Sequence, residues 1–145
     1  MKIYLAGGGG MGLEYAEKWR SEAEREFFNY DNTCINPFRN GKLRRAYDGG
    51  SYQGDKTLGA NEIVISDLRD IQRCDVLLAE MRSDTYNYIG TSSEIFYARS
   101  IGKPVVIWTT EKYVNHPWLV HASVKIFTTD NLKEVCEYIN LHWGD

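Results

Sequence analysis

The sequence predicts a doubly wound α/β domain with a five-stranded parallel sheet and helices on both faces. Short apolar runs typical of strands alternate along the chain with segments in which apolar residues recur every three or four positions. Right-handed crossovers between parallel strands put the connecting helices on both faces of the sheet. The length of 145 residues and the hydrophobic content of 43% fit one core, so we expect residues 1–145 to form a single domain.

The elements follow one another in a regular order. Strands are predicted at residues 2–6, 31–36, 75–81, 105–108 and 124–127. Helices are predicted at residues 11–28, 62–73 and 130–142, and another starts near Thr91 or Ser92 and stops before Gly102. Residues 39–61 lack periodicity, and a connection of that length is usually functional or disordered. This order is flavodoxin-like or Rossmann-like, and ligands of such sheets bind outside the carboxyl ends of the strands.

Charge and cysteine content exclude several classes of partner. Lys and Arg number 17 against 20 Asp and Glu, so the net charge of −3 predicts no overall attraction to a nucleic-acid polymer or a membrane. The three cysteines form no CxxC pair and lack a histidine at metal spacing, so we expect neither a disulfide framework nor a metal site. Without a leader-like start or an 18-residue apolar run, the expected location is the cytoplasm.

A glycine-rich turn follows the first strand and opens the first helix. Its first residues are Gly7, Gly8, Gly9 and Gly10. Backbone N–H groups in such a turn approach an anion at the start of the helix, which favours a phosphate or sugar contact. A dinucleotide site would need an acidic residue at the end of the second strand, where Asn36 stands. An NAD- or NADP-dependent oxidoreductase and a ligand-free turn stay open as weaker alternatives.

Two acidic residues on the predicted helices allow both a structural and a chemical interpretation. Thr91 and Glu94 have the spacing of a capping box, in which the Thr caps the helix and the Glu reaches back to the capping N–H. The alternative is that Glu94 is a nucleophile held at the mouth of a cleft. Asp67 is either an ordinary solvated side chain or a second acidic group of the same site.

Three segments together resemble the nucleoside 2-deoxyribosyltransferase superfamily, which includes the transferases and the 2′-deoxynucleoside 5′-monophosphate N-glycosidases. The segments are residues 2–7 (KIYLAG), 36–38 (NPF) and 66–106. The last segment contains an Asp-bearing helix, a strand beginning with CD, and the motifs G-T-x-x-E-I-x-Y-A and G-K-P. The resemblance implies an enzyme of N-glycosidic bond chemistry with this fold.

The resemblance also implies roles for three residues. Glu94 matches the nucleophile that attacks the anomeric carbon and expels the base. Asp67 matches the active-site Asp that assists the sugar and the base, and Tyr4 matches the tyrosine that orients the nucleophile. A carboxylate of this kind stabilises an oxocarbenium-like transition state, as in retaining glycosidases. We expect no metal or organic cofactor, since this chemistry requires only carboxylates and a bound sugar. The resemblance further implies a homodimer or larger homo-oligomer in which a neighbour completes the site.

One position departs from the transferase pattern. Tyr88 stands six residues before Glu94, where many transferases carry an acidic residue that handles the base. The departure favours hydrolysis of a 2′-deoxynucleoside or its 5′-monophosphate over base exchange, which stays open as an alternative. A non-catalytic nucleotide-binding or sensor module is a further alternative. Besides the four glycines, the residues predicted to contact the substrate are Arg20, Arg39, Tyr88, Gly90, Ser92 and Ser93.

Overall fold

A computed structural model describes residues 1–8, 12–39, 47–48, 51–52 and 60–144. The strands within these residues are β1 (Lys2–Gly7), β2 (Thr33–Ile35), β3 (Tyr47–Asp48), β4 (Ser51–Tyr52), β5 (Val76–Met81), β6 (Val105–Thr109) and β7 (Lys125–Phe127). The helices are α1 (Leu13–Phe28), α2 (Ala60–Arg73), α3 (Ile89–Ser100), α4 (Pro117–Ala122) and α5 (Leu132–Trp143). In this described part of the chain, no helix has the length and apolar character needed to cross a membrane.

The main sheet confirms the predicted five-stranded parallel arrangement. Its strand order is β2-β1-β5-β6-β7, and each neighbouring pair is parallel. The chain runs outward from β1 to β2 and then crosses back to β5 on the other side of β1. The order of the strands therefore reverses between β1 and β5, and a cleft is expected at their carboxyl ends. The short strands β3 and β4 form a separate antiparallel ladder.

Side chains that alternate along the strands build one core layer on each face of the sheet. Tyr4, Ala6 and Leu77 pack with residues of α2, α3 and α4. Ile3 and Leu5 pack on the opposite face with residues of α1 and α5. The predicted covering of both faces is thereby confirmed, and the alternation turns Tyr4 toward the face that carries α2 and α3.

The predicted start of the third helix is wrong. Helix α3 begins at Ile89, whose N–H donates to Oδ1 of Asn87 over 3.0 Å. Thr91 therefore lies inside the first turn, and the residue before the helix, Tyr88, makes no side-chain capping bond. Of the two interpretations of Thr91 and Glu94, the capping box is therefore excluded, because Thr91 lies inside the helix and not at the capping position.

Three further elements were not predicted. Helix α4 spans only six residues, which is too short for a clear helical periodicity, although Pro117 occupies a favoured first-turn position. The strands β3 and β4 fall inside the segment 39–61, where the sequence shows no periodic pattern. Helix α2 also starts at Ala60, two residues before the predicted Glu62.

A buried polar pair lies at the amino-terminal edge of the sheet, away from the expected cleft. Nδ2 of Asn32, just before β2, donates to Oδ1 of Asn140 on α5 over 2.6 Å. Both side chains are buried. A buried amide oxygen that loses its donor costs the free energy of its desolvation.

We expect Asn32→Ala to lower the free energy of unfolding by about 1–3 kcal/mol, because it leaves Oδ1 of Asn140 without this donor. Urea denaturation followed by circular dichroism measures the change. The matched control is Asn29→Ala at an exposed position after α1, which should alter stability by less than about 0.5 kcal/mol. Equal effects of the two variants would show that the buried bond contributes nothing.

Candidate active site

A cleft of about 420 Å³ opens at the carboxyl ends of β1 and β5. Its walls come from the end of β1, the turn after β2, helix α2, the β5–α3 loop and the first turns of α3. The polar lining side chains are Asp67, Tyr86, Asn87, Thr91, Ser93 and Glu94. The apolar ones are Pro37, Phe38, Ile63, Val64, Leu68 and Ile89. Apolar walls with a few convergent polar groups are typical of a small-molecule site.

A short hydrogen bond joins the sheet to the helix at the wall of this cleft. The hydroxyl of Tyr4 on β1 donates to Oε1 of Glu94 on α3 over 2.6 Å. Tyr4 is fully buried, whereas Glu94 is half-buried and lines the cleft. Burial and the negative charges of Glu94 and Asp67 raise the pKa of Tyr4, so its hydroxyl stays protonated and remains a donor. The bond restricts the orientation of the Glu94 carboxylate.

Asp67 brings a second carboxylate to the same cleft from α2. Its side chain is half-buried and lines the cleft, and its charge contributes to the raised pKa of Tyr4. The structure therefore brings together Tyr4, Asp67 and Glu94, which lie 27 or more positions apart in the sequence. Two carboxylates beside an apolar wall are suited to nucleophilic attack and to assistance of a leaving group.

Two of the predicted glycines line the cleft. A Cβ atom on Gly7 would lie 2.8 Å from Cζ2 of Trp19, and one on Gly8 would overlap the ring of Tyr86. The close approach of these aromatic rings explains why glycine occupies both positions. Gly9 and Gly10 lie outside the described residues, so anion binding by the whole turn stays a prediction.

The structure does not bring Arg20 to the cleft wall. Its fully buried guanidinium donates to the carbonyl oxygens of Leu5, Ala16 and Gly7 over 3.3, 3.0 and 2.7 Å. Its Cζ atom also lies over the rings of Trp19 and Phe38, at 4.6 and 4.4 Å from their centroids. Burial lowers its pKa to about 10. Arg20 thus supports the end of β1 and the Phe38 wall.

The other predicted contact residues divide between two places. Gly90 and Ser93 line the cleft, and Oγ of Ser93 donates to the carbonyl of Ile89. Ser92 lines a second cavity of about 240 Å³ between α3 and α4. Arg39 also lies away from the described cleft wall, where it forms an ion pair of 2.7 Å with Asp70.

Tyr88 likewise lines the second cavity instead of the cleft. Its hydroxyl donates to Oε1 of Glu80 over 3.0 Å and accepts from the N–H of Ser83 over 2.8 Å. The residue is almost completely buried, and its φ of 51° lies in the left-handed region that non-glycine residues rarely adopt. The Tyr88 hydroxyl therefore lies near the carboxyl end of β5 and not in the cleft, where a substrate contact was predicted for this residue.

Comparison of the sequence with family models decides the family. Residues 3–132 match the model described as Nucleoside 2-deoxyribosyltransferase. The chain belongs to the nucleoside 2-deoxyribosyltransferase family. The resemblance carried by the KIYLAG, NPF and 66–106 segments is thereby confirmed. No curated protein matches the chain significantly.

Several solved structures share the fold of this nucleoside 2-deoxyribosyltransferase family member. A 2-deoxyribosyltransferase from Bacillus psychrosaccharolyticus has a TM-score of 0.69 at 20% identity, over 95% of this chain and 92% of that chain. A 2-deoxyribosyltransferase from Leishmania mexicana has a TM-score of 0.68 at 20% identity, over 98% of both chains. A CMP N-glycosidase from Clostridium botulinum has a TM-score of 0.65 at 17% identity, over 98% of this chain and all (100%) of that chain.

The sequence motifs do not point to Glu80, a buried acid in this deoxyribosyltransferase family member. The one available signal is that Glu80 is the acidic residue of the otherwise apolar strand β5. It is fully buried near the carboxyl end of β5. Its Oε1 accepts the N–H of Arg82 over 2.6 Å in addition to the Tyr88 hydroxyl. Burial raises the pKa of Glu80, while these hydrogen bonds and the charges of Arg20 and Arg82 oppose the rise.

The raised pKa of Glu80 predicts a pH dependence of stability. The folded protein holds this proton more tightly than the unfolded chain, whose carboxyl has the ordinary pKa of 4.5. Between that pH and the pKa of the folded protein, the Glu80 carboxyl ionises in the unfolded chain but stays protonated in the folded one. The free energy of unfolding therefore falls as the pH rises through this range. Because Glu80→Gln has no such proton to lose, we expect its stability relative to wild type to increase as the pH rises from 4.5 toward neutrality.

Thermal unfolding of the two proteins over this pH range measures the difference. Glu134→Gln, at an exposed position on α5, is the matched control and should show no comparable trend. A parallel trend in both variants would contradict a specific contribution of Glu80.

Proposed function

We propose that this protein cleaves the N-glycosidic bond of a 2′-deoxynucleoside or its 5′-monophosphate and releases the free base. The observation that carries the proposal is the 2.6 Å hydrogen bond between Tyr4 and Glu94 in a cleft that also contains Asp67. Membership of the nucleoside 2-deoxyribosyltransferase family supports N-glycosidic bond chemistry. The small-molecule dimensions of the cleft support a nucleoside or nucleotide as the substrate.

In the proposed reaction, the Glu94 carboxylate attacks C1′ of the sugar while the bond from C1′ to the base nitrogen breaks. The bonding electron pair leaves with the base, which takes up a proton. Water then attacks C1′ of the glycosyl–Glu94 ester, and the C1′–O bond to Glu94 breaks with its electron pair returning to the carboxylate. The proton that water loses balances the one taken up by the base, and the free sugar leaves. Tyr4 holds Oε1 of Glu94, and we assign the attack to Oε2. Asp67 assists the sugar and the departing base from α2.

Water is the acceptor that we favour. Many transferases carry a base-handling acid six residues before the nucleophile, and Tyr88 occupies this position here. The Tyr88 hydroxyl already forms hydrogen bonds with Glu80 and with the N–H of Ser83. These bonds support the proposal that Tyr88 does not take over the base-handling role of the acid. Base exchange is the second candidate function, supported by the fold shared with the two 2-deoxyribosyltransferases. The shared fold of the CMP N-glycosidase is the reason to include a ribonucleotide among the substrates tested.

Two parts of the proposal concern binding and assembly. Gly7, Gly8, Gly90 and Ser93 line the cleft, which supports them as contacts to the sugar or to a 5′-phosphate. We also propose the homodimer or larger homo-oligomer implied by the family resemblance. Size-exclusion chromatography with light scattering tests the assembly, and a monomer at assay concentrations that still turns over substrate would overturn it.

We expect Glu94→Gln to lower kcat about a thousandfold or more, because the amide is a poor nucleophile. The measurement is chromatography of base released from 2′-deoxynucleosides, their 5′-monophosphates and CMP, with and without a second base. Incorporation of the second base would identify a transferase. Exposed Glu134→Gln on α5 is the control and should retain wild-type rates. No release by folded wild-type protein would favour a binding module instead.

We expect Tyr4→Phe to lower kcat roughly 10- to 100-fold, since a hydrogen bond to a charged group contributes about 1.5–3 kcal/mol. Initial rates over a range of substrate concentrations measure this effect. Tyr97→Phe is the matched control on α3, where the hydroxyl accepts from Gln72 over 2.7 Å at an exposed position. A loss no larger than that of the control would remove Tyr4 from the proposed mechanism.

A further inference from the structure

Glu80 is a buried acid beside the cleft that the proposed reaction does not use. It pairs with Gly7 in the register of β5 and β1, at the point where the strand order reverses. A Cβ atom on Gly7 would lie 3.2 Å from Oε2 of Glu80, so the carboxyl group packs directly against the cleft-lining backbone. Complete burial of a carboxyl group costs free energy unless hydrogen bonds or nearby opposite charges compensate for the lost water, so the partners of the buried Glu80 matter.

The hydrogen bonds of Glu80 fix both ends of the loop that joins β5 to α3. Oε1 accepts the N–H of Arg82 at the start of the loop and the hydroxyl of Tyr88 at its end. The Tyr88 hydroxyl also accepts the N–H of Ser83, which closes a small network inside the loop. The carbonyl of Tyr88 accepts the N–H of Ser92 over 2.8 Å, so the network continues into the first turn of α3.

The loop held in this way forms one lip of the cleft. Tyr86 and Asn87 lie between the two anchored ends, and both line the cleft. The ring of Tyr86 packs against Gly8 and stands edge-on to the ring of Tyr88, with 5.0 Å between the ring centroids. The position of the Tyr86 ring therefore depends on Tyr88 on one side and on the end of β1 on the other.

We propose that Glu80 and Tyr88 are a positioning pair that holds the Tyr86–Asn87 lip of the cleft in its substrate-binding arrangement. The pair acts on substrate affinity through the lip and touches no reacting atom. The inference rests on the proposed function for the identity of the substrate. The inference also accounts for Tyr88 at the position where many transferases carry an acid. The Tyr88 hydroxyl supports the loop through Glu80 instead of facing the base.

The first test compares kcat and KM for Glu80→Ala, Glu80→Gln and Tyr88→Phe at a temperature where all are folded. Loss of either hydrogen-bonding partner should raise KM on the order of tenfold while kcat changes less than about threefold. Glu80→Gln keeps an oxygen acceptor for Arg82 and Tyr88 and should stay near the wild-type KM. Asn32→Ala is the control for lost stability alone, since it breaks a buried bond at the opposite edge of the sheet.

The second test is hydrogen exchange of the backbone amides of residues 82–88, which needs no substrate. Exchange should accelerate in Glu80→Ala and Tyr88→Phe but not in Glu80→Gln or Asn32→Ala. Should Glu80→Ala fail to fold, Tyr88→Phe decides alone, because it removes one oxygen atom and keeps the ring.

The two tests distinguish failure of the proposed function from failure of the proposed positioning pair. An inactive but folded wild-type protein would contradict the proposed function, and exchange in the loop would still decide whether the pair holds the lip. Turnover with a KM in Glu80→Ala and Tyr88→Phe no higher than in Asn32→Ala would overturn the positioning pair. Unchanged exchange in the loop would overturn it as well.

Discussion

The parallel pairing of β1 with β5 is the constraint on which the rest of the structure depends. It sets Tyr4 opposite Leu77 and Gly7 opposite Glu80, and the strand order reverses at this pair. Chain connections leave the two strands in opposite directions, so a cleft forms at their carboxyl ends. The same register directs Tyr4 to the layer of α2 and α3, where its hydroxyl reaches Glu94.

Two glutamates beside this pairing lie in different environments, which supports the different roles proposed for them. Glu94 is half-buried at the cleft wall, with a buried tyrosine to orient it. Glu80 is excluded from solvent and accepts hydrogen bonds from the loop that borders the cleft. Burial raises the pKa of Glu80, which suits the supporting role that we propose for it.

Most of the fold was predictable because its signals are local. The buried strands β5 and β6 are continuous apolar runs, and α1 and α5 carry apolar residues at helical spacing. Local signals failed at the start of α3, where the Thr91 and Glu94 spacing matches a capping box. There the Asn87 side chain caps Ile89, so the helix begins two residues before Thr91, and the Glu94 carboxylate accepts the hydroxyl of Tyr4 instead. Helix α4 was missed because six residues hold too little periodicity.

The sequence by itself determined the layers of the fold, the family and the candidate residues Tyr4, Asp67 and Glu94. Strand and helix periodicities and family motifs are local patterns, so they can be recognised from the order of the residues alone. Only the tertiary structure decided which polar side chains meet. In the folded chain, Arg20 donates to backbone carbonyl groups and the Tyr88 hydroxyl donates to Glu80. Tyr4 forms a hydrogen bond with Glu94, which lies 90 positions further along the sequence. Such contacts depend on strand register and backbone direction, which the spacing of residues along the chain does not specify.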